Sequence, residues 1–222
     1  TKEACELGGK VGMVTGGKGG IGLGSAVGRA GAGAAVAVAA RNTAKTAGAV
    51  SGLRAAGAEA IGVETDVADE ASVVAAVKQV ADRFGRIDIL VNNAGIIAAP
   101  GWEQRERSNE EDWDMIYEVN VKGVARVTEA VAPHMKERRY GKIVNISSIA
   151  YHGNFGQSNY SAAKAGVAAM TVLWAKELAQ HNIRVGAIAP GFTATEMVVS
   201  LREEVKTKFT ESIPLRRFAE PS

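Results

Sequence analysis

Short apolar runs alternate with longer amphipathic stretches along most of the chain. Several of the runs are almost continuously apolar and rich in β-branched residues, a pattern typical of strands buried on both faces of a parallel sheet. The predicted strands are Lys10–Thr15, Ala35–Ala40, Ala58–Glu64, Ile87–Asn92, Lys142–Ser147 and Ile183–Ile188.

The stretches between these runs predict amphipathic helices. Ser108 followed by Glu111 fits a capping box at the start of the fourth helix. The preceding segment, Ala98–Ser108, is polar and irregular and is predicted to be a surface loop. The predicted helices are Ile21–Ala32, Thr43–Ala56, Asp69–Phe84, Asn109–Glu137 and Ser158–His181.

The alternation of strands and helices indicates the fold class. Repeated β–α units form a doubly wound, Rossmann-type α/β fold, a parallel sheet with helices on both faces and right-handed crossovers. No internal repeat, low-complexity tract or linker interrupts the pattern, so residues 1–222 are predicted to form a single domain.

Composition and charge exclude several classes of function. The formal net charge of +2 is too small to favour nucleic acid or an anionic membrane surface as a partner. No apolar run is long enough to span a bilayer, no secretory signal is visible, and the single cysteine, Cys5, allows no internal disulfide. The expected compartment is therefore the cytoplasm. The three histidines show no metal-ligand spacing, so no metal site is predicted.

A glycine-rich loop, Thr15–Gly22, joins the first strand to the first helix. Glycines let the backbone turn tightly and approach a pyrophosphate closely, and a helix N-terminus offers free N–H groups to that anion. The loop therefore predicts a dinucleotide site, with a plain flexible turn as the alternative. The candidate cofactor-binding residues here are Gly16, Lys18, Gly20, Ile21 and Gly22.

The end of the second strand bears on the choice of cofactor. NAD sites usually place a carboxylate there for the ribose 2′-hydroxyl. Here the strand ends at Arg41, and no acidic residue occurs between Glu6 and Glu59. A guanidinium suits a 2′-phosphate, so the sequence favours NADP(H) over NAD(H), the alternative being that Arg41 is simply solvated.

Tyr160 and Lys164 carry the candidate chemistry. Four residues apart on a predicted helix, they share one face, and a nearby ammonium lowers the pKa of a phenol toward the range useful for acid–base catalysis. The preceding strand ends in Ser147 and Ser148, and a hydroxyl at that point would polarise a substrate carbonyl.

Taken together, these motifs resemble the short-chain dehydrogenase/reductase family. The resemblance runs from about Lys10 to Ser222 and keeps the family order. The matching elements are Thr15-Gly-x-x-x-Gly-x-Gly22, Asp66-Val67, Asn92-Asn93-Ala94-Gly95, Asn120, Ser148, Tyr160-x-x-x-Lys164 and Pro190-Gly191.

The resemblance implies a role for each matching residue. Tyr160 would exchange a proton with the substrate oxygen, Lys164 would lower its pKa and bind the nicotinamide ribose, and Ser148 would hold the reacting oxygen. Asn120 would support a water that links Lys164 to solvent. The further cofactor contacts implied are Asp66, Val67, Asn92, Ala94, Gly95, Pro190, Gly191, Phe192 and Thr195.

The sequence departs from the family pattern in three places. The family usually has twelve residues between the catalytic serine and tyrosine; Ser147 meets this count and Ser148 leaves eleven, but counting forward along the strand from Gly141 favours Ser148. The basic residue of the glycine loop in NADP-using members is displaced by one, to Lys18. The helix and last strand that usually follow in the family are expected to be absent after Ser222.

The resemblance predicts interconversion of a carbonyl and a secondary alcohol. The length of the span Thr195–Phe218 and its element Ile213-Pro214-Leu215 favour a 3-oxoacyl thioester reductase, with an acyl-carrier-protein thioester as substrate. A polyol, sugar or other secondary-alcohol dehydrogenase is the alternative, and a non-catalytic dinucleotide-sensing or scaffold module is an alternative of another class. Residues 192–209 would form a mobile lid or a plain amphipathic helix. Family members pair through the fourth and fifth helices, so a homodimer or homotetramer is expected.

Overall fold

The computed structural model describes residues 6–97 and 109–221. The predicted loop Ala98–Ser108 and Cys5 lie outside these residues. Six strands form one sheet in the order β3-β2-β1-β4-β5-β6, and every neighbouring pair is parallel. The strands are β1 (Val11–Thr15), β2 (Ala35–Ala40), β3 (Ala60–Glu64), β4 (Ile89–Asn92), β5 (Gly141–Ile146) and β6 (Ile183–Ile188).

Eight α-helices in the described part of the chain follow or connect these strands. All five predicted helices are present, with ends that shift by a few residues. The segment 192–209 forms two further short helices. The helices are α1 (Gly20–Gly31), α2 (Thr43–Ala55), α3 (Glu70–Phe84), α4 (Glu110–Tyr117), α5 (Gly123–Glu137), α6 (Ser158–Glu177), α7 (Glu196–Val199) and α8 (Glu203–Ser212).

The fourth predicted helix is not one continuous α-helix. A π-helical turn, Glu118–Lys122, separates α4 from α5. Its capping box is also one residue later than predicted: Asn109 accepts from the backbone N–H of Asp112 at 2.9 Å, and Asp112 accepts from the backbone N–H of Asn109 at 2.9 Å. Asn109 and Asp112 form the same reciprocal pairing that the sequence assigned to Ser108 and Glu111. π-helical turns often occur at functional positions, and this one contains Asn120.

Apolar side chains pack on both faces of the sheet. Met13, Leu90 and Ile143 lie in one core cluster, and Val14 and Val91 lie in the other. The alternation of neighbouring residues between two buried faces explains why the strands read as continuous apolar runs.

The strand order reverses between β1 and β4, and this places the candidate site. In open parallel sheets a ligand cleft forms outside the carboxyl ends of the strands at such a reversal. The loops after β1, β4 and β5 all begin at this edge. Within the described residues no helix is long and apolar enough to cross a membrane, and no group of potential metal ligands is assembled.

Candidate active site

The glycine loop after β1 is packed too tightly for side chains at two of its predicted positions. Gly16 has a φ of +66°, and a Cβ placed there would lie 2.8 Å from the side-chain nitrogen of Asn93. A Cβ on Gly22 would lie 2.4 Å from the same nitrogen and 2.5 Å from the carbonyl oxygen of Gly16. The loop backbone therefore rests directly on Asn93 at the end of β4.

Thr15 and Asn93 lock β1 to β4 beneath this loop. The Thr15 hydroxyl accepts from the backbone N–H groups of Asn93 and Ala94, each at 3.0 Å, and donates to the carbonyl of Val91 at 3.3 Å. The Asn93 amide donates to the carbonyl of Thr15 at 3.0 Å. The sequence assigned neither residue a role. The only signal was their position inside two of the motifs.

The start of α1 fits a phosphate group. Gly19 is its N-cap and makes no side-chain cap hydrogen bond, and the first turn contains no acidic residue. A Cβ on Gly19 would meet no atom within 4 Å, so this end of the helix faces open space. Unpaired N–H groups, the positive end of the helix dipole and close backbone access together suit a dinucleotide pyrophosphate.

Arg41 and Asp66 come together at the other end of this edge. Arg41 follows β2, Asp66 follows β3, and a guanidinium nitrogen lies 3.8 Å from a carboxylate oxygen, with both side chains exposed to solvent. The carboxylate of Asp66 also accepts from the backbone N–H of Ala68 at 3.0 Å. No acidic residue is close to Arg41 in sequence, but the fold brings the carboxylate of Asp66 next to it. Val67, by contrast, is buried, and a Cβ on Gly123 would lie 2.8 Å from its side chain.

The side chain of Asn92 lies in the interior and not in the cleft. Its amide nitrogen donates to the Thr128 hydroxyl and to the Asn145 side-chain oxygen, each at 2.9 Å. Asn145 in turn donates to Thr171 on α6 at 2.9 Å. Asn92 thus ties β4 to β5 and α5, which leaves only its backbone to line a cofactor.

Asn120 positions the turn after β4. It is fully buried, accepts from the Ile96 N–H at 2.8 Å and donates to the Ile96 carbonyl at 2.7 Å. A Cβ on Gly95 would lie 2.8 Å from the Asn120 oxygen and 3.6 Å from the Lys164 ammonium. Both polar atoms of the Asn120 side chain are hydrogen-bonded to Ile96. A water that links Lys164 to solvent would therefore have to bind the main chain of Asn120.

Tyr160 and Ser148 meet at the carboxyl end of β5. The Ser148 side chain lies close enough to the Tyr160 hydroxyl to act on the pKa of the phenol by hydrogen bonding. Ser147 points inward instead, and its hydroxyl donates to the Lys164 carbonyl at 2.9 Å. The Lys164 ammonium lies 5.6 Å from the centre of the Tyr160 ring and donates to the Ile146 carbonyl at 2.8 Å. The geometry favours Ser148 over Ser147 as the residue that touches substrate.

Burial sets the protonation of this group of side chains. It raises the pKa of Tyr160, an effect that the hydrogen bond from Ser148 partly offsets. Burial also lowers the pKa of Lys164 to about 8. The structure therefore differs from the sequence-based expectation, in which Lys164 lowers the pKa of Tyr160, because desolvation of the phenol dominates.

The segment after β6 returns to the glycine loop. Pro190 accepts from the Ile149 N–H at 3.0 Å, which ties this segment to the residues after Ser148. A Cβ on Gly20 would lie 3.1 Å from the Thr195 methyl group, and one on Gly191 would lie 3.8 Å from Ile149. The Phe192 ring stacks on Phe209 of α8, with centroids 4.5 Å apart, and so packs against a helix of the same segment. Of the predicted residues after β6, Thr195 lies next to the glycine loop.

A comparison with protein families decides the assignment. The family model described as short chain dehydrogenase matches residues 10–206. The chain belongs to the short-chain dehydrogenase family. It is therefore an oxidoreductase with a fold that binds a nicotinamide dinucleotide, as the motifs predicted.

Individual short-chain dehydrogenases resemble this chain over most of its length. It is 48% identical to 3-oxoacyl-[acyl-carrier-protein] reductase FabG of Thermotoga maritima over 70% of this chain and 63% of that protein. It is 42% identical to a 3-oxoacyl-[acyl-carrier-protein] reductase of a Synechocystis species over 96% of this chain and 84% of that protein. The crystal structure of an NAD+-bound xylitol dehydrogenase superposes with a TM-score of 0.88 at 32% identity, covering 97% of this chain and 88% of that one.

The buried lysine of this short-chain dehydrogenase predicts a pH dependence of stability. Because the pKa of folded Lys164 is about 8 and its ordinary value is 10.5, the unfolded chain binds a proton there that the folded chain has released at intermediate pH. Stability therefore rises with pH, by about 2 kcal/mol from about pH 8 to about pH 10. Urea unfolding of wild type and Lys164→Met should show this rise in wild type beyond that of the variant. If the free energy of unfolding changed with pH in the same way in both proteins, the lowered pKa of Lys164 would be wrong.

Proposed function

We propose that this short-chain dehydrogenase reduces the ketone of a 3-oxoacyl thioester with NADPH, and that the acyl chain is carried by an acyl carrier protein. The observation that carries the proposal is the contact between the Ser148 and Tyr160 hydroxyls, next to buried Lys164 and at the same sheet edge as the glycine loop. The names of two relatives, both 3-oxoacyl-[acyl-carrier-protein] reductases, support the substrate class.

In this proposal the two hydroxyls bind one substrate oxygen. Ser148 donates a hydrogen bond to the ketone oxygen and polarises the carbonyl. Tyr160 transfers its phenolic proton to that oxygen as the alcohol forms. The raised pKa of Tyr160 keeps the phenol protonated at neutral pH, which supports the direction of reduction. Lys164 lies beside the phenol, and its ammonium faces the phenolate that remains after the transfer.

The residues of the sheet edge fit the cofactor. The backbone from Gly19 to Gly22 would hold the pyrophosphate, and Arg41 would hold the 2′-phosphate. The nicotinamide, when bound, supplies the hydride to the carbonyl carbon. Asn120 and Gly95 form a tight wall beside Lys164, which keeps the ammonium next to Tyr160.

Exposed apolar side chains that neighbour Ser148 and Tyr160 in sequence favour an acyl substrate. Ile149 directly follows Ser148, and Phe155 lies in the segment that leads to Tyr160; both are exposed. An acyl chain would bury such surface, whereas a polyol needs hydrogen-bonding side chains.

A secondary-alcohol dehydrogenase is the second candidate. The superposition with xylitol dehydrogenase favours it, since that similarity covers almost the whole chain. Two assays on purified protein separate the candidates: loss of NADPH absorbance with an acetoacetyl thioester, and gain of NADPH or NADH absorbance with xylitol and related polyols. Turnover of the thioester alone supports the reductase, turnover of polyols alone overturns it, and a protein inactive in both would favour a non-catalytic dinucleotide-binding module.

Arg41→Asp is expected to reverse the cofactor preference. The change removes a charge-assisted contact to the 2′-phosphate and introduces repulsion, so the Kd for NADPH should rise about 100-fold. The Kd for NADH should change little or fall, since a carboxylate there can accept from the ribose hydroxyl. Fluorescence titration with both cofactors measures the effect.

Arg184→Asp provides the matched control for this prediction. Arg184 lies on β6, four strands away from β2 in the sheet, so its substitution should leave both affinities unchanged. An unchanged NADPH affinity in Arg41→Asp would remove the basis for the NADP assignment.

A further inference from the structure

An ion pair joins two parts of the chain that lie far apart in sequence. The Lys45 ammonium lies 2.7 Å from the Glu196 carboxylate, across a separation of 151 residues. Lys45 is in the first turn of α2, four residues after Arg41. Glu196 is the first residue of α7 and follows Thr195, which contacts the glycine loop at Gly20. The pair therefore fastens the segment after β6 to the end of the predicted cleft at Arg41 and Asp66, where the adenosine of the cofactor would bind.

We infer that Glu196 is a specificity-determining residue, which holds the segment 195–199 over the glycine loop through Lys45 and competes with the cofactor 2′-phosphate for that lysine. The inference rests on the proposed use of NADPH and deepens it. It assigns functions to two residues that the motif analysis left without any.

The charges at this edge support the competition. Two cations near the end of the cleft at Arg41 already face a carboxylate, Arg41 facing Asp66 at 3.8 Å and Lys45 facing Glu196 at 2.7 Å. A 2′-phosphate must displace or share these partners. The ion pair with Lys45, and to a smaller extent the charge of Lys18 in the glycine loop, lowers the pKa of the Glu196 carboxyl and so favours its negatively charged form.

The two carboxylates are not equally fixed. Asp66 also accepts a backbone hydrogen bond from Ala68, whereas the Glu196 side chain is 78% exposed. Glu196 is therefore the partner that yields when a phosphate recruits Lys45. With NADH no phosphate competes, and the ion pair remains to retain the segment.

This arrangement gives opposite effects for the two cofactors. In Glu196→Gln the phosphate no longer competes with a carboxylate, so binding of a 2′-phosphorylated ligand tightens. The same change removes the Lys45–Glu196 ion pair, which bound NADH does not disturb. The dissociation of NADH therefore becomes faster. Lys45→Gln removes both the ion pair with Glu196 and the contact to the phosphate. It therefore weakens binding of the 2′-phosphorylated ligand and also speeds the release of NADH.

The test uses fragments of the cofactor, so that it does not depend on turnover. Isothermal titration with 2′,5′-ADP and with 5′-ADP isolates the contribution of the 2′-phosphate. Relative to wild type, Glu196→Gln should bind 2′,5′-ADP about two- to five-fold more tightly and Lys45→Gln about five-fold more weakly, with 5′-ADP changed less than either. Stopped-flow release of NADH should be about two- to five-fold faster in both variants.

Matched controls come from other exposed ion pairs. Glu59→Gln breaks a pair with Arg83, and Lys78→Gln breaks a pair with Asp82 on α3. Neither should alter binding of either fragment or release of NADH. Thermal unfolding should show that all four variants are folded at the assay temperature.

The outcomes separate the two levels of the argument. If wild type prefers 2′,5′-ADP and Arg41→Asp abolishes that preference, but Glu196→Gln leaves it unchanged or reduces it, the inference is wrong and the NADPH proposal stands. If wild type binds 2′,5′-ADP no better than 5′-ADP, both are wrong. A tighter 2′,5′-ADP complex in Glu196→Gln with faster NADH release supports both.

Discussion

Tyr160→Phe is expected to lower kcat between about a hundred-fold and ten-thousand-fold, the range that loss of a positioned acid–base group produces. The substitution removes the phenolic oxygen that Ser148 contacts and keeps the ring next to Lys164. The affinity for NADPH should change less than about three-fold, because the aromatic ring remains in place. A loss confined to kcat would show that the hydroxyl acts in the transition state. Steady-state kinetics with an acetoacetyl thioester and a cofactor titration measure both quantities.

Tyr140→Phe is the matched control for this substitution. Tyr140 immediately precedes β5, at the opposite edge of the sheet, where its ring faces the Lys10 ammonium at 4.1 Å. Removing its hydroxyl should leave kcat and KM unchanged. If Tyr160→Phe retained more than about a tenth of the wild-type kcat, well outside the range for such a group, another group would have to transfer the proton.

Gly22→Ala is expected to damage both stability and cofactor binding. Its methyl group would lie 2.4 Å from the Asn93 amide nitrogen and 2.5 Å from the Gly16 carbonyl oxygen, so the loop or the end of β4 must move. Overpacking of this kind costs about 1–3 kcal/mol, and the shift falls where the pyrophosphate would bind. Urea unfolding and NADPH titration should show a lower free energy of unfolding together with a Kd raised at least about ten-fold.

Gly28→Ala tests whether this effect comes from packing. Gly28 lies on the same helix, but a Cβ there would meet no atom within 4 Å. Alanine should leave NADPH binding unchanged and stabilise the helix by up to about 1 kcal/mol. Equal effects of the two substitutions on stability and on NADPH binding would mean that the close packing of Gly22 against Asn93 and Gly16 has no effect of its own.

The periodicity of the sequence predicted the strands and helices well, because burial on both sheet faces produces long apolar runs. Ala35–Ala40 and Ile183–Ile188 have the predicted bounds. The capping box was displaced by one residue, since Ser108-x-x-Glu111 and Asn109-x-x-Asp112 satisfy the same spacing and only geometry selects between them. The π-helical turn at Asn120 has no signature in the periodicity.

The candidate site was predicted less completely than the fold. The motifs grouped Tyr160, Ser148 and Lys164, and the three side chains lie near one another in the structure. The direction of the Tyr160 pKa shift depends on burial, which the spacing of residues does not reveal. Thr15 and Asn93 were missed because hydrogen bonds to backbone leave no pattern in the sequence. Likewise the Lys45–Glu196 pair depends on how the chain returns to the glycine loop.

The central claim is that the Ser148 and Tyr160 hydroxyls bind the same substrate oxygen. A crystal structure of the wild-type enzyme with NADP+ and a 3-oxoacyl thioester tests it directly, since two oxidised ligands cannot react. The account predicts the ketone oxygen within about 3 Å of both hydroxyl oxygens, with the carbonyl carbon facing the nicotinamide ring. A ketone oxygen bound away from both hydroxyls would contradict it.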